Sequence, residues 1–235
     1  QNELLTYKDK KGKGYSPTYL KTVNCQLTAI FNYAMRYYNL QDNPCRKAGA
    51  IGKSKGEPKD FWMQEEFNAF LETVSDKPET RMAFLLLYWT GMRIGEMVLL
   101  NKADINFNER ECVVFGKGDK ERIVYFDART KIHLQNYIDS RMDDNPALFV
   151  TLRSPHERIK IGGIESRLRE MGKQLDIPKV HPHKFRRTLA TMAIDKGMPI
   201  EQVQKILGHS QIGTTMQYAI VNQNNVKTSH QKFIA

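Results

Sequence analysis

With 235 residues the chain can form one large domain or two modest ones, and its net charge of +10 favours a polyanionic partner, nucleic acid first. Its three cysteines lack a Cys-x-x-Cys spacing, which argues against a disulfide framework or a thiolate metal site and fits a reducing, cytoplasmic setting. The longest apolar run, residues 82–89, is too short to span a membrane, and no export leader precedes it.

The N-terminal part of the chain is predicted to be helical. The sequence begins at Gln1, and residues 4–7 are typical of the end of a helix, so we expect a fragment of a longer protein. After a polar loop, Ser16 and Pro17 give the start signals of a long amphipathic helix, which ends before Pro44. The apolar stripe of this helix consists of Leu20, Val23, Leu27, Ile30, Phe31, Ala34, Met35 and Tyr38.

Residues 46–60 are rich in glycine, lysine and serine and have little apolar surface. Such a segment cannot bury a core of its own, so we predict a solvated linker between two domains. The expected organisation is a partial helical domain over 1–45, this linker, a second domain over 61–219 and a polar tail over 220–235.

The second domain is predicted to be built around one buried helix. A short helix over 64–71 comes first, and residues 81–89 are apolar on every side, as expected for a helix at the centre of a core. Gly91 breaks that helix. Arg93 therefore lies at a bend before the next helix, over 94–100.

A small antiparallel meander follows, because three short strand-like runs are separated by turn-forming residues. The predicted strands are 105–107, 112–115 and 122–126. Helices are expected at about 131–141 and 163–175, and the loop between them carries Arg153, Arg158 and Lys160. The predicted fold class is mainly α with a small antiparallel β-sheet.

The stretch from residue 181 to residue 218 combines histidines, arginines and a tyrosine with helix signals. Pro182 marks a helix start, which puts His183 in the first turn, and Arg186 lies three residues later on the same face. The unpaired amides at such a helix start favour an anion. A second helix over 199–207 follows closely and is ended by Gly208. Two helices joined so tightly fold back on each other, so we expect His209 to return towards His183.

Six positions in one order carry a family resemblance. Arg93 lies in Thr-Gly-Met-Arg-Ile-Gly-Glu, Lys117 lies in a Gly-Lys-Gly hairpin turn, and a tyrosine follows Leu-Gly-His by nine residues. The six are Arg93, Lys117, His183, Arg186, His209 and Tyr218. This set resembles the tyrosine recombinase (phage integrase) family, most like the integrases of conjugative transposons and phages. The resemblance covers about residues 61–219 and implies a catalytic domain preceded by part of a helical core-site-binding domain.

The resemblance implies a phosphoryl-transfer mechanism without a metal or another cofactor. Tyr218 would be the nucleophile, His183 its base, and Lys117 the acid that protonates the leaving 5′ oxygen. His209 would donate a hydrogen bond to the phosphate. The implied products are a 3′-phosphotyrosine and a free 5′-hydroxyl, which can be rejoined without ATP.

Two arginines would supply the positive charge that a divalent ion otherwise brings. The planar guanidinium groups of Arg93 and Arg186 would each donate paired hydrogen bonds to phosphate oxygens. Spacing alone leaves the choice between Arg186 and Arg187 open; the family motif, which usually has histidine where Arg187 stands, selects Arg186. Glu96, three residues after Arg93, either orients it or forms an ordinary surface ion pair.

DNA and a second copy of the chain are the expected partners. The residues expected to contact DNA are Lys53, Lys55, Arg153, Arg158, Lys160 and Arg187. As the family implies, a tetramer would assemble at the synapse through the tail, with accessory DNA-bending or excision factors as further partners. The predicted activity is integration or excision of a mobile element.

Two other functions fit parts of the sequence. A type IB topoisomerase uses similar residues but reseals the same strand, and the short spacing from His209 to Tyr218 favours the recombinase. A non-cleaving DNA-binding protein could use 197–208 as a helix-turn-helix, but that leaves Arg93 and Lys117 unexplained. A zinc site is disfavoured because His-Pro-His lacks the i, i+4 spacing and a nearby carboxylate.

Overall fold

The computed structural model divides the chain into two compact units, Gln1–Pro58 and Lys59–Ala235, called unit 1 and unit 2 below. The residues that the structure describes are 2–52, 61–75, 77–116, 118, 120–177, 180–219, 230–231 and 234. Within them, no helix is both long enough and apolar enough to cross a membrane.

Unit 1 is helical. Its helices are α1 (Asn2–Thr6), α2 (Pro17–Tyr37) and α3 (Pro44–Ala48). The side chain of Ser16 caps α2 by accepting a hydrogen bond from the Tyr19 N–H at 3.2 Å, so the predicted start signal works as expected. Of the predicted apolar stripe only Leu20 is buried. The rest stays at least partly exposed, because α2 is packed within unit 1 mainly against the short helix α3.

The predicted linker is helical at its beginning. Arg46 and Lys47 belong to α3, which Asn43 caps by accepting from the Cys45 N–H at 2.9 Å. Residues 53–60 lie outside the described residues, and with them Lys53 and Lys55.

Unit 2 is mainly helical with one small sheet, which confirms the predicted fold class. The helices are α4 (Gln64–Glu72), α5 (Pro78–Thr90), α6 (Ile94–Leu99), a short 3-10 helix (Lys102–Asp104), α7 (Ala128–Asp139), α8 (Ile161–Gln174), α9 (Pro182–Asp195), α10 (Ile200–Leu207) and α11 (Ile212–Met216). The strands are β1 (Ile105–Asn106), β2 (Glu111–Phe115) and β3 (Glu121–Tyr125).

The sheet is an antiparallel meander in the order β1-β2-β3. Cys112, Val114 and Val124 point inward and are buried. Arg122 pairs with Val114 in the register, so this arginine stands on the inward-facing side of β3. That placement brings a charged side chain to the boundary between the sheet and the helices.

The core of unit 2 is centred on α5, as its all-round apolar sequence predicted. The ring of Tyr88 stacks on Phe67 of α4 with centroids 3.7 Å apart, and Phe185 of α9 packs against the edge of Phe67. The backbone N–H of Trp62 donates to the Thr188 hydroxyl at 2.8 Å, which connects the start of the unit to α9. Helix α9 is thereby fixed against α5.

Candidate active site

Helix α9 places one arginine in the interior and one histidine at the surface. His181 is an extended N-cap and Pro182 the first helical residue, as the sequence predicted. The core side of the helix then buries Phe185 and Arg186, whereas His183 is exposed. The buried position therefore belongs to Arg186, and Arg187 is only half-buried.

Arg186 joins the ends of two helices. Its residue surface is only 2% exposed. Nη1 donates to the carbonyl of Gly91, just after α5, at 2.7 Å, and Nη2 donates to the carbonyl of Leu207, the last residue of α10. Burial, together with the nearby charges of Arg93 and Arg122, lowers the pKa of Arg186 to about 10. Arg93 and Arg122 therefore lie close enough to Arg186 for their positive charges to add to the effect of burial.

Arg93 is the N-cap of α6 and remains partly open to solvent. Its backbone N–H donates to Glu96 Oε2 at 2.7 Å and its Nη1 to Glu96 Oε1 at 2.9 Å, so the carboxylate fixes both ends of the residue. Nη2 lies 3.4 Å from the carbonyl of Gly208. The side chain of Arg93 is 38% exposed, and that of Glu96 only 5%. Glu96 is thus a buried partner of Arg93 and not a surface charge.

A third arginine, Arg122, belongs to the same network. Nη1 and Nη2 donate to the two oxygens of Glu96 at 2.7 and 2.6 Å, and Nε donates to the carbonyl of Ile206 at 3.0 Å. Sequence reasoning treated Arg122 only as the beginning of a strand. The signal that could have identified it is its alternation with Val124, which puts an arginine on the buried face of the strand.

Three successive carbonyls at the C-terminal end of α10 each accept from a different arginine. Ile206, Leu207 and Gly208 accept from Arg122, Arg186 and Arg93 respectively. The negative end of the helix dipole favours cations at this position. Gly208 ends the helix in the left-handed conformation, with φ +61°, and the chain turns directly into His209.

The carboxylate of Glu96 is ionised in this setting. Burial works to raise its pKa, but hydrogen bonds from Arg122 and Arg93 outweigh burial, so the pKa lies below its ordinary value. One negative charge is therefore held between two guanidinium groups. The network keeps a net positive charge.

Two cavities adjoin Arg93. The first, which we call the arginine cavity, has a volume of about 390 Å³ and is lined by Arg93, Glu96, Gly116, His183 and Arg186, among others. The second, the histidine cavity, has about 540 Å³ and is lined by residues that include Arg93, Gly116, Arg122, Gly208 and His209. The structure thus brings four of the six candidate residues, Arg93, His183, Arg186 and His209, around two adjoining spaces.

His183 is suited to accept a proton. The protein around the exposed ring desolvates it in part, and this burial, followed by the charges of Arg186, Arg187 and Arg93, lowers the pKa of the imidazole. The neutral form, which can act as a base, is therefore favoured at neutral pH.

Tyr218 and His209 lie side by side. The two rings stack at a centroid distance of 6.1 Å, with an angle of 21° between their planes. His209 Nδ1 lies 2.9 Å from the Thr215 hydroxyl, which fixes the orientation of the ring. Tyr218 is half-buried against a small apolar cluster formed by α9 and α10. It is not among the described residues that line either cavity.

Lys117 lies outside the described residues, but the hairpin around it is fixed. Phe115 pairs with Glu121, and the Gly116 N–H donates to the Lys120 carbonyl at 2.9 Å. Gly116 lines both cavities. The described residues Gly116 and Lys120 therefore lie at the edge of the site.

The residues predicted to contact DNA differ in their surroundings. Arg153 and Lys160 are exposed. Arg158 instead donates to the carbonyls of Val98 and Leu100, both at 2.9 Å, and to Asn101 Oδ1 at 2.5 Å. These internal hydrogen bonds give Arg158 a structural role, which its geometry supports better than the predicted contact with phosphate.

Metal ligation finds no support within the described ranges. No group of three or more His, Cys, Asp or Glu side chains that could hold a metal ion occurs there.

Comparison with known sequences identifies relatives for most of the chain. The profile of the phage integrase family matches residues 63–225. Tyrosine recombinase XerA of Pyrococcus furiosus is 31% identical over 226 residues, which cover 94% of this chain and 76% of XerA. Tyrosine recombinase XerC of Staphylococcus aureus is 32% identical over 176 residues, which cover 71% of this chain but only 58% of XerC.

Solved structures have the same fold. A crystal structure of XerA recombinase matches with a TM-score of 0.65 and 26% identity, over 94% of this chain and 77% of that one. The Tn1549 transposon integrase in complex with transposon right end DNA matches with a TM-score of 0.80, over 96% of this chain and 82% of that one. Because the Tn1549 integrase is only 22% identical to this chain, its similarity shows the fold alone.

Proposed function

Because this chain belongs to the phage integrase family of tyrosine recombinases, as its sequence motifs predicted, we propose that it cleaves and rejoins DNA through a 3′-phosphotyrosine on Tyr218. Site-specific recombination is the general activity of this family. The chemical route and the role of each residue are those that the family resemblance implies, and the geometry of unit 2 supports the roles of Arg93 and Arg186.

The observation that carries the proposal is the convergence of Arg93 and Arg186 at one helix end. Both line the arginine cavity together with His183, and the carbonyls that they contact belong to adjacent residues of α10 and its cap. A phosphate diester in this cavity would lie beside two guanidinium groups and one imidazole. Positive charge fixed in advance is what stabilises a pentacoordinate phosphorus with its added negative charge.

The proton transfers that the resemblance implies use the two histidines and Lys117 of the hairpin. His183, neutral because of its lowered pKa, would accept the phenolic proton as the Tyr218 oxygen bonds to phosphorus. The bond from phosphorus to the 5′ oxygen breaks, and Lys117 would protonate that oxygen. His209, held by Thr215, would donate a hydrogen bond to a non-bridging oxygen. Attack by another 5′-hydroxyl reverses these steps and releases Tyr218.

The likeness to a transposon integrase supports, at the level of fold, a role in integrating or excising a mobile element. Duplex DNA is the proposed substrate. The DNA backbone is proposed to contact the exposed residues Arg153 and Lys160, half-buried Arg187, and also Lys53 and Lys55. Assembly as a tetramer through the tail over 220–235, and accessory DNA-bending or excision factors, belong to the same proposal.

A covalent-trapping experiment tests the chemistry. Duplexes of the candidate recombination site carry a nick close to the scissile phosphate, so that the freed end diffuses away and the protein stays attached. We expect a denaturant-resistant adduct with the unmodified protein, and none with Tyr218→Phe at unchanged DNA affinity. Tyr125→Phe, at an exposed tyrosine of β3, is the matched control and should form the adduct normally.

The result separates the proposal from the alternatives. Tight, specific binding without an adduct would leave a non-cleaving DNA-binding protein. An adduct that reseals only the strand it came from, and never a partner strand, would indicate a topoisomerase. An adduct that survives in Tyr218→Phe would refute the assignment of the nucleophile.

A further inference from the structure

Glu96 is shared unequally between two arginines. Arg122 holds both carboxylate oxygens through both of its Nη atoms, at 2.7 and 2.6 Å. Arg93 forms only one side-chain bond to the carboxylate, from Nη1 at 2.9 Å. The Arg122 side chain is 10% exposed, against 38% for Arg93. The buried, bidentate pair is therefore Glu96 with Arg122, and Arg93 is the weaker partner.

Because Glu96 is bound mainly by Arg122, Arg93 keeps a positive charge that faces the two cavities. A carboxylate in a buried site attracts its cations strongly, because little solvent screens it. If Glu96 had only Arg93 as a partner, the two would form the bidentate pair, and the guanidinium would be neutralised and turned away from an incoming anion. Arg122 occupies the carboxylate instead.

Arg122 is itself locked in place. Its Nε donates to the Ile206 carbonyl at 3.0 Å, so all three of its nitrogens are used. The backbone of Gly208 passes so close that an added Cβ would lie 2.9 Å from Arg122 Cδ. Lysine could not make this set of contacts, since it offers a single ammonium group in place of a planar fork.

We propose that Arg122 is a positioning residue for phosphate recognition: it binds both oxygens of Glu96, so that the positive charge of Arg93 remains available to a DNA phosphate. The proposal rests on the proposed function for the identity of the anion. It assigns to Arg122 no contact with the substrate.

Substitutions at both partners distinguish this role from a purely structural one. Arg122→Met frees Glu96 to neutralise Arg93, and we expect adduct formation to slow by roughly ten- to a hundredfold, less than the loss caused by removing an oxyanion donor outright. The double variant Arg122→Met with Glu96→Gln removes the competing negative charge as well. It should recover at least about tenfold over the single variant. Arg129→Met, at an exposed arginine of α7, is the matched control and should keep the normal rate.

A second readout needs no cleavage. The affinity for a duplex that contains the candidate site is measured at several salt concentrations, and each phosphate contact contributes about 0.9 to the slope of log affinity against log salt concentration. Arg122→Met should reduce the magnitude of that slope by about 0.9, the contribution of one phosphate contact, and the double variant should restore it. Failure of the proposed function would show as binding without adduct by the unmodified protein, and the slope would still test the role of Arg122.

Folding is checked by circular dichroism and thermal unfolding, because removing one partner leaves a carboxylate buried. If Arg122→Met does not fold, the uncharged Arg122→Gln replaces it and should likewise be slow and recover with Glu96→Gln. The proposal is overturned if the folded single variant matches the unmodified protein in rate and slope. It is also overturned if adding Glu96→Gln brings no recovery, as expected when Arg122 serves only to hold the fold.

Discussion

Replacing Gly208 by alanine should destabilise unit 2 through two separate effects. Its φ of +61° is a left-handed conformation, in which a Cβ costs about 1–2 kcal/mol. The new Cβ would also lie 2.9 Å from Cδ and 3.1 Å from Nε of Arg122. Arg122 cannot move aside without breaking its bonds to Glu96 and Ile206, and such overpacking costs about 1–3 kcal/mol. The expected loss is about 2–5 kcal/mol.

Gly197→Ala shows the backbone effect alone, so the difference between the two variants isolates the overpacking. Gly197 has φ +87° and nothing within 4 Å of an added Cβ, so only the backbone term of about 1–2 kcal/mol applies. Differential scanning calorimetry compares the two variants. In a unit of this size 1 kcal/mol corresponds to roughly 2–4 °C, so the Gly208 variant should melt about 2–12 °C below the Gly197 variant.

A further comparison ties the difference to Arg122. In an Arg122→Met background no hydrogen bonds to Glu96 and Ile206 hold the side chain in place, so it can move away from the new Cβ, and Gly208→Ala should cost no more than Gly197→Ala does. Equal melting temperatures for the two alanine variants in the unmodified background would refute the reasoning. So would a difference of unchanged size after Arg122 has been replaced.

Three other predictions follow from the described residues. In the pH profile of the cleavage rate, the midpoint of the acid limb should lie below pH 6.5, because burial and nearby arginines lower the pKa of His183. Arg187→Gln removes one of these positive charges and should move the midpoint to higher pH. Arg158→Met should lower the free energy of unfolding by about 2–4 kcal/mol without changing the salt dependence of DNA binding, since the guanidinium bonds internally. Burial raises the pKa of the Cys112 thiol to about 12, so iodoacetamide at pH 8 should label exposed Cys25 and spare Cys112.

Each of these predictions has a contrary result. A midpoint above 6.5, or one that Arg187→Gln lowers, would remove His183 as the base. A shallower salt slope in Arg158→Met would restore the contact with phosphate. Labelling of Cys112 as fast as that of Cys25, in the folded protein, would contradict the burial of that thiol.

Local signals in the sequence determined most of the elements. Ser16 and Pro17 begin α2, Pro182 begins α9 and Gly208 ends α10, because capping and the left-handed conformation depend on residues within one or two turns. The all-round apolar run of α5 likewise sufficed to place it at the centre of the core. Motif order alone was also enough to identify the family, since it requires no distances.

Contacts between distant parts of the chain decided the rest. Arg122 meets Glu96 from 26 residues away and Ile206 from 84 residues away, so its alternation with Val124 marks it as inward-facing, but nothing next to it in the sequence shows its partners. Arg158, predicted to face DNA, turns inward to carbonyls 58 and 60 residues away. Arg158 was assigned to DNA by its charge and Arg122 was assigned only to a strand, whereas the role of each depends on the polar groups that the packed chain brings to it.

The sequence by itself determined that a helix start at Pro182, a hairpin and a Leu-Gly-His turn occur in one chain. Only the tertiary structure decided that the end of α10 gathers three arginines, and that Glu96 is divided unequally between two of them. The physical reason is that the strength of an ion pair depends on burial and on the number of hydrogen bonds, and both are properties of the packed chain.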